Sequence, residues 1–216
     1  MKFSRIIPKS RSKTAKVISV IAAILLPSVI AYGGYLAYAR FERKKYIKKI
    51  KTILFLGDSQ SASNKSYADI ISSNMEWEYS KHAKVGAKTE WVYKEYLQDE
   101  NYYDAVAVMI GGNDVWALGN SDKAIQNLKS IKSVANNRNQ ILILISPPSK
   151  DFYSDDEYKL LEYNKIAMWM RSNADLYVDG NSATSRLDYF KNDKLHLNEL
   201  GQRAIASLFL ETLQEV

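Results

Sequence analysis

Cysteine is absent from this chain, which excludes disulfides, cysteine-ligated zinc and thiol catalysis, and histidine occurs only at His82 and His196. Any reaction that needs an imidazole near neutral pH therefore has two candidates. Two histidines far apart and carboxylates without ligand-like spacing give no basis for a metal site. No Walker-type or dinucleotide glycine fingerprint occurs, so no nucleotide cofactor is expected. Internal repeats and low-complexity tracts are absent as well.

Acidic residues are nearly missing from the first quarter of the chain. Residues 1–51 hold thirteen Lys and Arg against one acid, Glu42, whereas residues 52–216 hold 17 basic and 23 acidic side chains. The formal charge of +6 is thus an average over a basic start and an acidic remainder. The basic groups flank an apolar segment, which argues against nucleic acid as a partner.

That segment, Val17 to Ala39, runs 23 residues without a charge. As a helix it would extend about 34 Å, enough for a hydrocarbon core of about 30 Å. Tyr32, Tyr35 and Tyr38 cluster towards one end, as phenols do near headgroups. The rivals are a buried helix of a soluble core and a cleaved signal peptide. Ala37-Tyr38-Ala39 has the form of a cleavage site, but the apolar stretch exceeds the usual ~7–15 residues. A retained single-pass anchor is the expectation. The organisation is then a basic tail (1–16), a transmembrane anchor (17–39), a basic juxtamembrane linker (40–51) and one domain (52–216). Basic residues are almost balanced across the apolar segment. A short tail before a first apolar segment favours an extracytoplasmic domain.

Beyond the linker, short apolar runs alternate with helical patterns. Strands are expected at Ile53–Leu56, Ala105–Ile110, Ile141–Ile145 and Leu176–Val178, with a weaker one at Trp77–His82. Helices are expected near Ser66–Ser73, Thr89–Gln98, Ser121–Asn136, Asp155–Ser172 and Asn198–Glu215, the last capped by Asn198. Apolar strands alternating with amphipathic helices indicate an α/β class, a three-layer α/β/α sandwich with a mainly parallel sheet. In such sheets ligands bind at the carboxyl ends of the strands.

Three clusters stand at those ends or just before the last helix. They are Gly57-Asp58-Ser59-Gln60-Ser61, Gly111-Gly112-Asn113-Asp114, and Asp193 through His196. Each alone is an ordinary turn sequence, but they occur together and in order. With these blocks the chain resembles the SGNH (GDSL) hydrolase superfamily over roughly residues 52–216. Gly86, in Val85-Gly86-Ala87-Lys88-Thr89, fits the remaining block. The resemblance implies a flavodoxin-like SGNH fold, Ser59 as nucleophile, and an oxyanion hole from the backbone N–H groups of Ser59 and Gly86 with the Asn113 amide.

The chemistry is consistent with those roles. A serine hydroxyl needs a positioned base; His196 can be that base and Asp193 can orient it. The bland readings are Ser59 as a helix cap, His196 as a structural histidine and Asp193 as a turn cap. His82 reads as structural. Asp58 and Asp114 are expected to organise their own turns through backbone amides. Trp116 and Pro147-Pro148 are expected to border the cleft. The function expected is hydrolysis of acyl esters, O-acetyl groups foremost, on envelope carbohydrate or lipid. The alternatives are acyl transfer by the same serine, and an SGNH-fold assembly subunit of an envelope or virion complex.

Overall fold

Four short, continuously apolar strands dictate a sheet with two buried faces, and that is what the chain builds. The computed structural model describes residues 29–35, 38, 48–148 and 156–214. The chain divides into two units, residues 1–46 and 47–216. In the first, residues 29–35 and 38 are helical with exposed side chains. The tail 1–16, most of the expected anchor 17–39 and residues 40–47 of the linker lie outside the described residues. Among the described residues no helix is long and apolar enough to cross a membrane.

The second unit carries β1 (Thr52–Gly57), β2 (Glu78–Ala83), β3 (Ala105–Met109), β4 (Ile141–Ile145) and β5 (Leu176–Val178). They form one parallel sheet in the order β2-β1-β3-β4-β5. The helices are α1 (Ser59–Ala62), α2 (Tyr67–Met75), α3 (Thr89–Gln98), α4 (Gly112–Leu118), α5 (Asp122–Asn137), α6 (Glu157–Asn173), α7 (Gly180–Ala183) and α8 (Glu199–Gln214), with a 3-10 turn at Leu187–Tyr189.

Odd and even strand residues take opposite sides. Ile53, Phe55, Ala107, Met109 and Ile143 meet Tyr67 and Ile71 of α2 and Ile205 and Phe209 of α8. Leu54, Leu56, Val106, Val108 and Leu144 meet Tyr96 of α3, Leu128 of α5 and Ile166 of α6. Each large apolar side chain buried this way contributes about 1.5–3 kcal/mol relative to exposure. The expected five strands are all present, and the five expected long helices fall where periodicity put them. Ser66 opens α2 through a capping box with Asp69, and Asn198 Oδ1 accepts from Gly201 N at the start of α8.

From β1 the chain crosses to β2 on one side and then returns to β3 on the other. The order in which strands are added therefore reverses between β1 and β3, all of them staying parallel. A crevice opens beyond their carboxyl ends, at the place where open α/β sheets bind ligands. Both the Ser59 block and the Asn113 block hang there.

Candidate active site

Directly after β1, Asp58 caps α1: its Oδ1 accepts from Gln60 N at 3.0 Å. This holds Ser59 at the first position of a four-residue helix. Ser59 Oγ lies 3.0 Å from His196 Nε2, and His196 Nδ1 lies 2.8 Å from Asp193 Oδ2. With Nδ1–H donating to the carboxylate, Nε2 is left to accept the serine proton. Asp193 Oδ1 also accepts from His196 N and Leu195 N, each at 2.9 Å. The His196 N–H, its imidazole and the Leu195 N–H together hold the Asp193 carboxyl down at about 2. It therefore stays an anion across ordinary assay pH, the form that can stabilise an imidazolium.

A cleft of about 210 Å³ opens over this chain of bonds, lined among others by Ser59, Gly86, Asn113, Trp116, Pro147 and His196. The structure thus brings together all five residues singled out in the sequence except Asp193, which stands behind His196. Gly86 has φ +72, a conformation that disfavours any residue with a Cβ, although a Cβ there would meet nothing within 4 Å. Its glycine is explained by that backbone angle rather than by crowding.

The Asn113 amide is engaged: Nδ2 donates to Ala87 O at 2.9 Å and to Asp58 Oδ2 at 3.3 Å. The longer bond is the weaker one, and an oxyanion in the cleft could replace it. Asp58 is buried, and burial pushes its carboxyl up to about 6, against the lowering by Gln60 N–H and the charge of His196.

Asp114 does more than organise its own turn. Besides its own backbone amide it reaches across to the start of α3, accepting from Thr89 N at 3.0 Å and Thr89 Oγ1 at 2.6 Å. Asn127 of α5 donates to the same Thr89 hydroxyl at 3.0 Å. This buried network ties the Asn113 segment to the segment that follows Gly86. His82 does not line the cleft; its Nε2 lies 3.7 Å from buried Asp99.

Gln60 is the site residue that the sequence did not announce. Its Nε2 donates to Leu195 O at 2.8 Å and its Oε1 accepts from Leu197 N at 3.1 Å. One buried side chain thus grips the backbone on both sides of His196. Gln202 of α8 supports it, donating to Gln60 O at 3.0 Å while accepting from Tyr67 N at 2.8 Å. No local pattern marks a glutamine whose partners lie 135 and 137 residues away.

A nucleophile, a base, its orienting carboxylate and candidate oxyanion donors around one cleft are the parts that acyl-ester cleavage requires. The GDSL-like Lipase/Acylhydrolase family matches residues 55–204. The chain belongs to this family. As a member it is a carboxylic ester hydrolase. The matched span contains all five residues named above and leaves the apolar N-terminal segment outside.

Solved structures share the fold. A catalytic mutant of an acetylxylan esterase from Geobacillus stearothermophilus is 18% identical with a TM-score of 0.64, over 76% of this chain and 94% of that one. A psychrotrophic esterase from Pseudoalteromonas, in a structure inhibited by monoethylphosphonate, is 17% identical with a TM-score of 0.61, over 76% and 97%. An α/β hydrolase from the metagenome of Lake Arreo is 18% identical with a TM-score of 0.62, over 76% and 95%. At these identities the likeness is one of fold. No curated protein matches the chain in sequence.

Proposed function

We propose that this family member is a membrane-anchored serine esterase that removes O-acetyl groups from carbohydrate of the cell envelope. The reading rests on one observation, the Ser59–His196–Asp193 chain of bonds at 3.0 and 2.8 Å opening into the cleft. Ser59 Oγ attacks the ester carbonyl as its proton passes to His196 Nε2, and Asp193 stabilises the imidazolium. The oxyanion is held by the N–H groups of Ser59 and Gly86 and by the Asn113 amide, which gives up its bond to Asp58. His196 returns the proton to the leaving alcohol; water then attacks the acyl-enzyme by the same route and releases acetate. Losing one oxyanion donor typically costs ~3–4 kcal/mol of transition-state stabilisation.

Carbohydrate is favoured by two features. Trp116 borders the cleft and is 53% exposed, with Lys159 Nζ 4.5 Å from its ring centroid, so that an aromatic surface and a cation stand together at the rim where a sugar would bind. Among proteins of the same fold, one from Geobacillus stearothermophilus is named an acetylxylan or acetyl-xylooligosaccharide esterase. In this proposal residues 17–39 span the membrane once, with the enzyme on the extracytoplasmic side.

The test is fluorophosphonate labelling of the full chain beside Ser59→Ala and His196→Ala. Labelling of the wild type alone is expected, together with at least a ~10³-fold loss of acetyl-ester turnover in both variants. A folded wild type that takes no label would favour the assembly-subunit reading instead.

A further inference from the structure

A second recess of about 330 Å³ adjoins the cleft, lined by Lys84, Gly86, Ala87, Lys88, Glu90, Trp91 and Lys94. Gly86 belongs to both hollows. The strand pairing explains why they meet. Ala83, the last residue of β2, sits opposite Gly57, and Lys84 N donates to Gly57 O at 3.3 Å, two residues before Ser59.

The charge of this recess runs against that of the domain. Residues 52–216 carry six more acids than bases. Inside the recess Glu90 is neutralised by Lys94 at 2.8 Å. Among the described residues, neither Lys84 nor Lys88 takes part in an ion pair. Lys84 Nζ stands 5.8 Å above the Trp91 ring, which fixes its ammonium beside an apolar surface. Lys88 stands at the N-cap position of α3, where its ammonium has no acceptor to offer the helix. Lys88 feels the charges of Glu90 and Asp114 without pairing closely with either. Two cations without a close carboxylate partner and a half-buried indole in one hollow suit a sugar that carries an anionic group.

We infer that the hollow formed by Lys84, Lys88 and Trp91 is a subsite for an anionic group, carboxylate or phosphate, on the glycan whose acetyl ester is presented to Ser59. The inference rests on the esterase reading above and extends it to the alcohol part of the substrate. The ester acyl group enters over Ser59 and Asn113. The sugar bearing the charge lies past Gly86, with its anion towards the two ammonium groups.

The experiment compares the full-length wild type with Lys84→Ala/Lys88→Ala. The substrates are 4-nitrophenyl acetate, neutral acetylated xylooligosaccharide, O-acetylated oligogalacturonide and an O-acetylated sugar phosphate. Turnover of 4-nitrophenyl acetate and of the neutral oligosaccharide should not change. KM for at least one anionic substrate should rise about tenfold at low salt, and raising the salt should erase the difference from the wild type. The substrate affected then identifies the group as carboxylate or phosphate. Equal kinetics on all four substrates would overturn the subsite. So would a variant whose only defect is weaker binding to vesicles of phosphatidylglycerol, because the lysines would then face lipid. A wild type inert towards 4-nitrophenyl acetate would instead overturn the esterase reading beneath it.

Discussion

Ser59 and Gln60 are neighbours in sequence with opposite situations, one facing the cleft and the other buried against the backbone that carries His196. Gln60→Ala should lower kcat on 4-nitrophenyl acetate about 10- to 100-fold with little change in KM, because imidazole alignment is lost while the cleft is kept. A purely structural role would lower the melting temperature without that split, so both are measured. Asp58 allows a pH prediction. Its folded carboxyl titrates at about 6 against 3.8 for the ordinary group. The folded protein therefore holds this proton where the unfolded chain has released it. The associated stability is complete below pH 4 and is lost as pH rises through 6, by about 3 kcal/mol in all. In Asp58→Asn that decline should vanish, so melting temperature followed from pH 4 to 7.5 should be flatter than in the wild type. Parallel curves would exclude Asp58 as the source.

At the scale of elements, legibility followed length and burial. β1, β3 and β4 are fully buried apolar runs apart from half-buried Thr52, and each was visible as such. The edge strand β2, Glu-Tyr-Ser-Lys-His-Ala, has no fully buried residue, which is why its signal was weak and its position was read one residue early. The short helices α1, α4 and α7 were not foreseen, since four to seven residues are too few to display a helical period. Two of them carry chemistry: α1 begins with Ser59 and α4 contains Asn113. The site blocks could be read because they are contiguous; Gln60, Gln202 and the Asp114–Thr89 tie could not, because their partners come from other elements. The junction of β1 with α1 is tightly packed. A Cβ on Gly57 would stand 2.1 Å from Ser61 Oγ and 2.9 Å from Met109 O. Gly57→Ala should therefore push α1 outward, cost about 1–3 kcal/mol, and reduce fluorophosphonate labelling of Ser59. Denaturant unfolding beside the labelling assay checks both.

For the whole molecule, the family match begins at residue 55, and the second unit begins at residue 47. In the proposed function the basic, apolar start is separable from the catalytic unit. Deleting residues 1–39 is expected to give a protein that stays in the supernatant after high-speed centrifugation and keeps full activity on 4-nitrophenyl acetate. The full chain is expected to sediment with membranes and to resist carbonate extraction. A truncated protein that aggregates would contradict the two-part organisation.

Ser59 and His196 are 137 residues apart, and the histidine is delivered by the segment just ahead of α8. The serine therefore has no base until a distant stretch of chain is folded against it, with Gln60 gripping the backbone on both sides of the histidine and Gln202 bonded to Gln60. A chain cut between Ser59 and His196 is expected to take no fluorophosphonate label. An activated serine here doubles as a report that two remote parts of the fold have closed on each other.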